Sequence, residues 1–352
     1  MYSFCTYFDR HYLDKGLACY HSLVRHCLPF QLWILCMDEV THRVLTDMQL
    51  PYVHLISLSD FEKDNSPLLQ AKQNRSLIEY YFTCTPSLPL YVLDLNPGVD
   101  IITYLDADLF FFSSIEPVYQ ELGTGSILII GHRFPPDLED RKKFGIYNVG
   151  MLSFRRDHNG LACLHWWQDR CREWCYDRIE NGRFADQKYL DDFPDRFFGV
   201  VILQHKGTGL APWNLANYHY SQRGRELLID GQTLIMYHFH GLTRVNQWIY
   251  DTNVSGYKTR LPKILKNTLY IPYIQELGKV DNNLSIYIGG NFNSDKSIRV
   301  SDKKNISLKT KISQIFEKGL HFISFFKKWV TNDLIFLLCR NKHEPIRFTP
   351  RP

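Results

Sequence analysis

Apolar and polar positions along this chain switch repeatedly between two periods. Residues 2–8, 31–37 and 52–56 are short apolar runs rich in aromatic and β-branched side chains, a pattern that predicts strands. Between them, Leu17, Tyr20, Leu23 and Val24, and then residues 40–48, carry apolar positions at helical spacing. Residues 66–94 read as helical, with breaks at Pro86 and Pro89. Further strands are expected at 101–105, 126–132, 147–155 and 199–205, and a last one at 234–244 running into a glycine turn. Residues 161–180 predict an amphipathic helix with Leu164, Trp167, Cys171, Trp174 and Cys175 on one side, ending at Asn181-Gly182. Strands alternating with helices imply right-handed βαβ units and an α/β fold with a mixed, mostly parallel sheet flanked by helices.

Beyond residue 280 the pattern changes. Residues 1–280 are expected to form one domain, 281–305 an irregular linker rich in Asn, Ser, Asp and Lys, and 306–352 a basic amphipathic helical tail. Within 306–340, Phe316, Leu320, Ile323, Phe326, Trp329 and Val330 alternate with lysines. Such a segment suits the anionic inner face of a membrane, as a peripheral contact, or packing against the main domain or a second subunit.

Composition narrows the choices. A net charge of +4 in 352 residues leaves no nucleic-acid footprint. Nine cysteines, an odd number mostly inside apolar patterns, favour reduced thiols and a cytoplasmic protein. Cys171 and Cys175, with His165 before them, form a partial zinc set without a second pair at finger spacing. The N-terminus enters a strand pattern at once and lacks a basic leader, so no signal peptide is expected. Aromatics at 14% suit sugar- or base-stacking surfaces as well as cores.

The chemistry concentrates at Asp106-Ala107-Asp108. Two carboxylates one residue apart interrupt an apolar run, and aspartate in a strand needs a positive partner. In extended chain, residues i and i+2 point to one side, so Asp106 and Asp108 can converge on one cation, and oxygen ligands suit Mg²⁺ or Mn²⁺. Ligands of parallel sheets bind beyond the carboxyl ends of the strands, which adds Thr6, Tyr7 and Asp9 to the candidate site. Arg75 reads equally as a phosphate contact or a surface cap. Gly150 signals close backbone approach. Asp186 reads as a helix cap when taken alone. Gly207–Leu215 reads as a loop with an exposed Trp213-Asn214.

Five features in this order resemble the retaining glycosyltransferases of the GT-A fold, family 8. They are the polar turn Thr6-Tyr7-Phe8-Asp9, Asp106-Ala107-Asp108, Tyr147-Asn148-Val149-Gly150, Asp186-Gln187, and His238-Phe239-His240-Gly241-Leu242-Thr243-Arg244. The resemblance spans residues 1–250. It implies a GT-A (Rossmann-like) fold that transfers a sugar from a nucleotide-sugar, with UDP as the expected nucleotide, to a glycan or lipid-linked acceptor with retention. It also implies Mn²⁺ or Mg²⁺ held by Asp106, Asp108 and His238, with His240 the rival to His238. Nucleotide-sugar contacts would come from Thr6, Tyr7, Asp9, Arg75, Asp106, Ala107, Asp108, Asn148, Gly241 and Arg244. Asp186 and Gln187 would act at the reaction centre, and Trp213 and Asn214 on the acceptor side. Arg244 stands where the family has lysine, and its planar fork is not equivalent. The family's Pro-Trp after that lysine is absent, with Val245-Asn246 in its place. A nucleotidyltransferase, a metal-dependent hydrolase and a non-catalytic sugar- or nucleotide-binding module are the alternatives. The lack of glycine before Gly16 in the first turn argues against a nucleotidyltransferase.

Overall fold

A computed structural model describes residues 1–246, 249–288 and 333–336. Its centre is a seven-stranded sheet in the order β3-β2-β1-β4-β7-β6-β8. These strands are β1 (Tyr2–Phe8), β2 (Phe30–Cys36), β3 (Val53–Ser57), β4 (Ile101–Leu105), β6 (Ile127–Gly131), β7 (Tyr147–Arg155) and β8 (Val200–Ile202). The strands β3, β2, β1 and β4 run parallel, and β7 runs against both β4 and β6. The expected mixed, mainly parallel sheet flanked by helices is therefore what forms.

Both faces of the sheet are covered, so its central strands are near-continuous apolar runs. Phe4 and Phe8 face a core shared with helices Leu13–His26 and Ile271–Ile288. Cys5 and Tyr7 face the other side, where helices Leu77–Cys84, Ser87–Leu95 and His158–Glu173 pack. Capping fixes several of these helices. Asp38 accepts from Thr41 N, Asp157 from Gly160 N, and Ser76 with Glu79 forms a capping box.

Three expectations are corrected here. Pro89 does not break its segment, because it lies in the first turn of Ser87–Leu95, where no intrahelical N–H is needed. The helix expected over 161–180 runs from His158 to Glu173. Trp174 turns to extended backbone, although Trp174 and Cys175 remain buried. The domain boundary expected at 280 falls inside helix Ile271–Ile288, whose Val280 and Leu284 belong to the main core. The linker beyond 288 and most of the 306–352 tail lie outside the described residues. Residues 334–336 form strand β15 (Leu334–Phe336) against β14 (Ile249–Asp251), which also pairs with β13 (Thr243–Asn246). A short meander, β9 (Tyr220–Arg223), β10 (Glu226–Ile229) and β11 (Gln232–Thr233), precedes β12 (Met236–His238). The latter pairs with β5 (Leu109–Phe111). All eight cysteines among the described residues are buried free thiols. No helix among the described residues is long and apolar enough to cross a membrane.

Candidate active site

The strand order reverses beside β1. The chain places β2 and β3 on one side of it and β4 on the other, and such switch points open a crevice at the carboxyl ends of the strands. Phe4 pairs with Thr103 and Cys5 with Tyr104, so the polar turn after β1 and Asp106 after β4 emerge side by side.

Two short pairings bring the third member in. Antiparallel β5 and β12 set His238 opposite Leu109, and Phe239 N donates to Asp108 O at 3.0 Å. The imidazole Nε2 of His238 then lies 3.0 Å from Asp108 and 3.6 Å from Asp106. One ligand atom from each of Asp106, Asp108 and His238 falls within 4.8 Å of the others. It is the one such cluster among the described residues. His240 is exposed, with its ring 5.6 Å away and edge-on, so the geometry selects His238.

The cluster is held from several sides. Tyr104 Oη donates to Asp106 at 2.8 Å, and Asp106 N donates to Gly150 O at 2.8 Å. Gly150 has no room for a side chain. A Cβ there would stand 2.5 Å from Asn148 Oδ1 and 2.8 Å from His238 Nδ1. Asn148 Oδ1 in turn accepts from Gly150 N, and its Nδ2 faces His132 Nε2 at 3.4 Å. Burial holds His132 neutral, with its pKa down at about 3.

Charge in the cluster is polarised. Burial opposes ionisation of Asp108, but the His238 ring beside it prevails and holds that carboxyl well below its usual range. Burial and Asp108 together push Asp106 up despite His238, and the two carboxylates raise His238. Two oxygens and one nitrogen, converging and carrying excess negative charge, are a donor set that fits a divalent cation. Burial also pushes Asp186 up to about 7, with Asp106 adding to the rise. Its backbone is helical and its carboxylate caps nothing, so the helix-cap reading of Asp186 is replaced by a buried acid near the cluster. Gln187 is anchored by Nε2 donating to Phe144 O at 3.1 Å.

Other expected residues take different places. Tyr7 reaches Thr85 through its hydroxyl, with its ring 5.8 Å from Tyr104. Thr6 is buried, and its hydroxyl has no partner among the described residues. Asp9 caps the turn Arg10–Tyr12 through His11 N and accepts from Tyr81 Oη. Ala107 is buried in the core. Gly241 takes φ +75° in the turn after β12.

Arg75 is drawn away from the crevice. It donates to the carbonyls of Cys171, Arg172 and Cys175, closing the end of helix His158–Glu173. Trp213, expected as an exposed platform, is 5% exposed, and Asn214 is fully buried. The Trp213 ring meets His238, His240, His132 and Tyr257 edge to face, so it buttresses the cluster. Asn214 is a loop staple, donating to His132 O and Gly209 O and accepting from Ala211 N. Arg244 pairs with Asp281 on helix Ile271–Ile288.

Sequence reasoning passed over Lys15. Its ammonium sits 4.4 Å over the Tyr12 ring, and its charge is felt at Asp108 and His238. A lysine at the start of a helix carries no signal of its own.

No protein-family model matches the chain. Among solved structures, it is similar to the glycosyltransferase GlyE of Streptococcus pneumoniae TIGR4, at 14% identity and TM-score 0.46, covering 84% of this chain and 66% of that one. The uncharacterised protein YfnD of Bacillus subtilis (strain 168) is 29% identical over 279 residues, 78% of this chain and 88% of YfnD. The uncharacterised protein YfnF of the same organism aligns over 284 residues, 75% of this chain. At 34% identity across 93% of that relative's length, the chain belongs to the family of YfnF.

Proposed function

We propose that this protein is a metal-dependent glycosyltransferase that moves a hexosyl group from a UDP-sugar to a glycan or lipid-linked acceptor with retention. The observation that carries the reading is the convergence of Asp106, Asp108 and His238 at the switch point of the sheet. Asp106, Asp108 and His238 would hold the ion, and the nitrogen ligand tilts the choice toward Mn²⁺ over Mg²⁺. Bound there, a divalent ion supplies Lewis acidity to a departing diphosphate.

The side chains around it have separable tasks. Tyr104 orients Asp106, and Trp213 fixes the plane of the His238 ring. Tyr7, Thr6 and Asp9, at the end of β1, are assigned to the nucleoside side. Asn148 is assigned to the sugar, held by Gly150 N and His132. Asp186, a buried acid with pKa about 7, and Gln187, anchored through Nε2, are assigned to the sugar face opposite the leaving group. They stabilise positive charge developing at the anomeric carbon. The basic, aromatic composition of residues 306–340 supports a peripheral contact with the cytoplasmic face of a membrane, where a lipid-linked acceptor would be presented.

Isothermal titration of UDP with and without Mn²⁺, on wild type and Asp108→Ala, tests the donor half. Binding that requires both the metal and Asp108 is the expected result. Sugar transfer is then read as UDP release from a panel of UDP-sugars with glycan acceptors. Metal-independent binding, or no binding, refutes the proposal.

A further inference from the structure

We propose that His132 is a positioning residue of the donor-sugar subsite: it accepts from the Asn148 amide and so commits that amide to donating a hydrogen bond to an oxygen of the sugar. This rests on the nucleotide-sugar reading above. An imidazole has two tautomers and an amide two orientations, so contacts must settle the polarity of both. Two backbone groups of fixed polarity do so. Gly150 N can only donate, and it lies 2.9 Å from the Asn148 amide, so that end of the amide is Oδ1. Ile146 O can only accept, and it lies 3.3 Å from His132 Nδ1, so Nδ1 carries the ring proton. Burial keeps the ring neutral, which leaves Nε2 bare. Asn148 Nδ2 then donates to Nε2 at 3.4 Å. With the proton on Nε2 instead, two N–H groups would meet there and a lone pair would face the Ile146 carbonyl.

The ring is held so that this polarity cannot turn over. Phe134 stacks on the imidazole at 4.6 Å with 8° between the planes, and the Trp213 ring meets it edge to face at 5.2 Å. The backbone of His132 is pinned as well. Its N–H donates to Ile146 O at 2.9 Å, and its carbonyl accepts from Asn214 Nδ2 at 3.0 Å. Asn148 stands near the start of β7, opposite Ile130 of β6. Two residues on, Gly150 O accepts from Asp106 N at 2.8 Å. A Cβ at Gly150 would touch both Asn148 Oδ1, at 2.5 Å, and His238 Nδ1, at 2.8 Å. The amide that His132 orients is therefore a direct neighbour of the cluster.

An amide side chain offers one oxygen and two N–H donors. The oxygen of Asn148 is turned to Gly150 N, and one N–H is turned to His132. The second N–H of this half-buried side chain has no partner among the described residues, and it is what Asn148 has left for a ligand. A sugar hydroxyl, ring oxygen or acetamido carbonyl can accept from it. A sugar ammonium, which only donates, cannot. Without the acceptor at His132 the amide is free to swing, and binding the sugar must then order it again.

The test measures UDP release from UDP-glucose, UDP-galactose and UDP-N-acetylglucosamine, each with Mn²⁺, by wild type, His132→Phe, His132→Gln, Asn148→Ala and the double variant His132→Phe/Asn148→Ala. UDP binding is titrated alongside. His132→Phe keeps a ring between Phe134 and Trp213 but has no acceptor, and His132→Gln restores one. On the best of the three donors we expect kcat/KM to fall about threefold to tenfold in His132→Phe, as for loss of one neutral hydrogen bond, and to recover most of that in His132→Gln. UDP affinity should change by less than about threefold. The double variant should be no slower than Asn148→Ala alone, because His132 acts through Asn148. Should His132→Phe not fold, nitrogen-15 imidazole spectra of wild type, assigned against His132→Gln, still decide: a proton on Nδ1 is expected, and one on Nε2 overturns the proposal. Additive losses in the double variant, or wild-type kcat/KM in His132→Phe, overturn the role of His132 and leave the transferase reading standing. Absence of metal-dependent UDP binding by wild type overturns both.

Discussion

Replacing Gly150 with alanine would add one methyl group to the centre of the site and nothing elsewhere. Gly150 lies within β7 with no left-handed backbone requirement, so the substitution is not a backbone experiment. The new Cβ would stand 2.8 Å from His238 Nδ1, 3.0 Å from its Cε1 and 2.5 Å from Asn148 Oδ1. Restoring an ordinary contact of 3.4 Å requires the imidazole to retreat by about 0.6 Å and the Asn148 amide by about 0.9 Å. Metal–ligand distances tolerate only about 0.2 Å. The ring cannot retreat freely, because Trp213 packs on it and the β5–β12 pairing fixes its backbone. We therefore expect Mn²⁺ affinity to fall about tenfold to a hundredfold, the range seen when ligand orientation is disturbed. Overpacking should cost about 1–3 kcal/mol of stability. Mn²⁺ titration followed by electron paramagnetic resonance measures the first, and denaturant unfolding of the metal-free protein the second. Gly150→Ala with wild-type Mn²⁺ affinity would falsify the claim that this glycine exists to admit the metal ligands.

Four further outcomes follow from the same geometry. His238→Ala should abolish Mn²⁺ binding while His240→Ala changes it by less than about threefold, since only His238 reaches both carboxylates; equal losses would reopen the ligand assignment. Asp186 has a folded-state pKa raised from 3.8 to about 7, so it adds nothing below pH 4, destabilises progressively between pH 4 and 7, and costs at most about 4 kcal/mol above that. Asp186→Asn should accordingly gain stability over wild type as pH rises from 4 to 8 in metal-free unfolding titrations, while losing sugar transfer; a pH-independent difference contradicts the burial argument. Arg75→Ala should lower stability by about 1–3 kcal/mol and leave UDP affinity unchanged, because its donors serve helix carbonyls; a selective affinity loss would restore it to the donor site. Trp213→Ala should weaken Mn²⁺ binding about tenfold, a result that a surface stacking residue would not give.

What the sequence disclosed follows from how local each signal is. Asp106 and Asp108 were legible because their own neighbours make them anomalous: an apolar strand does not hold two carboxylates without cause. The sheet was legible for the same reason, each strand being a short run bounded by turns. His238 was not readable from its surroundings, since β12 looks like any buried strand, and only the order of five motifs singled it out. Trp213 was misread because loops are usually exposed. Its burial depends on His132, His238 and Tyr257, which no local pattern joins to it. Arg75 was ambiguous because its partners lie about a hundred residues downstream, at the end of a helix whose early stop the periodicity did not mark. Lys15 gave no signal, because a lysine on a helix surface is the commonest of sights until the fold seats its ammonium over a neighbouring ring.

The pairing of β5 with β12 makes the metal a witness to correct folding. The ribbon is only three residues long, and its side chains alternate between faces. A slip of one position would turn the imidazole away and present Phe239, which has no ligand atom, or Tyr237, whose phenol burial keeps protonated, to Asp108. Only the native register binds the ion, so added metal stabilises that register over every shifted one. The gain grows with the logarithm of metal concentration above the dissociation constant. With a divalent ion as the ligand of this cluster, its supply in a cell would then govern how much of this protein matures as well as how fast it works.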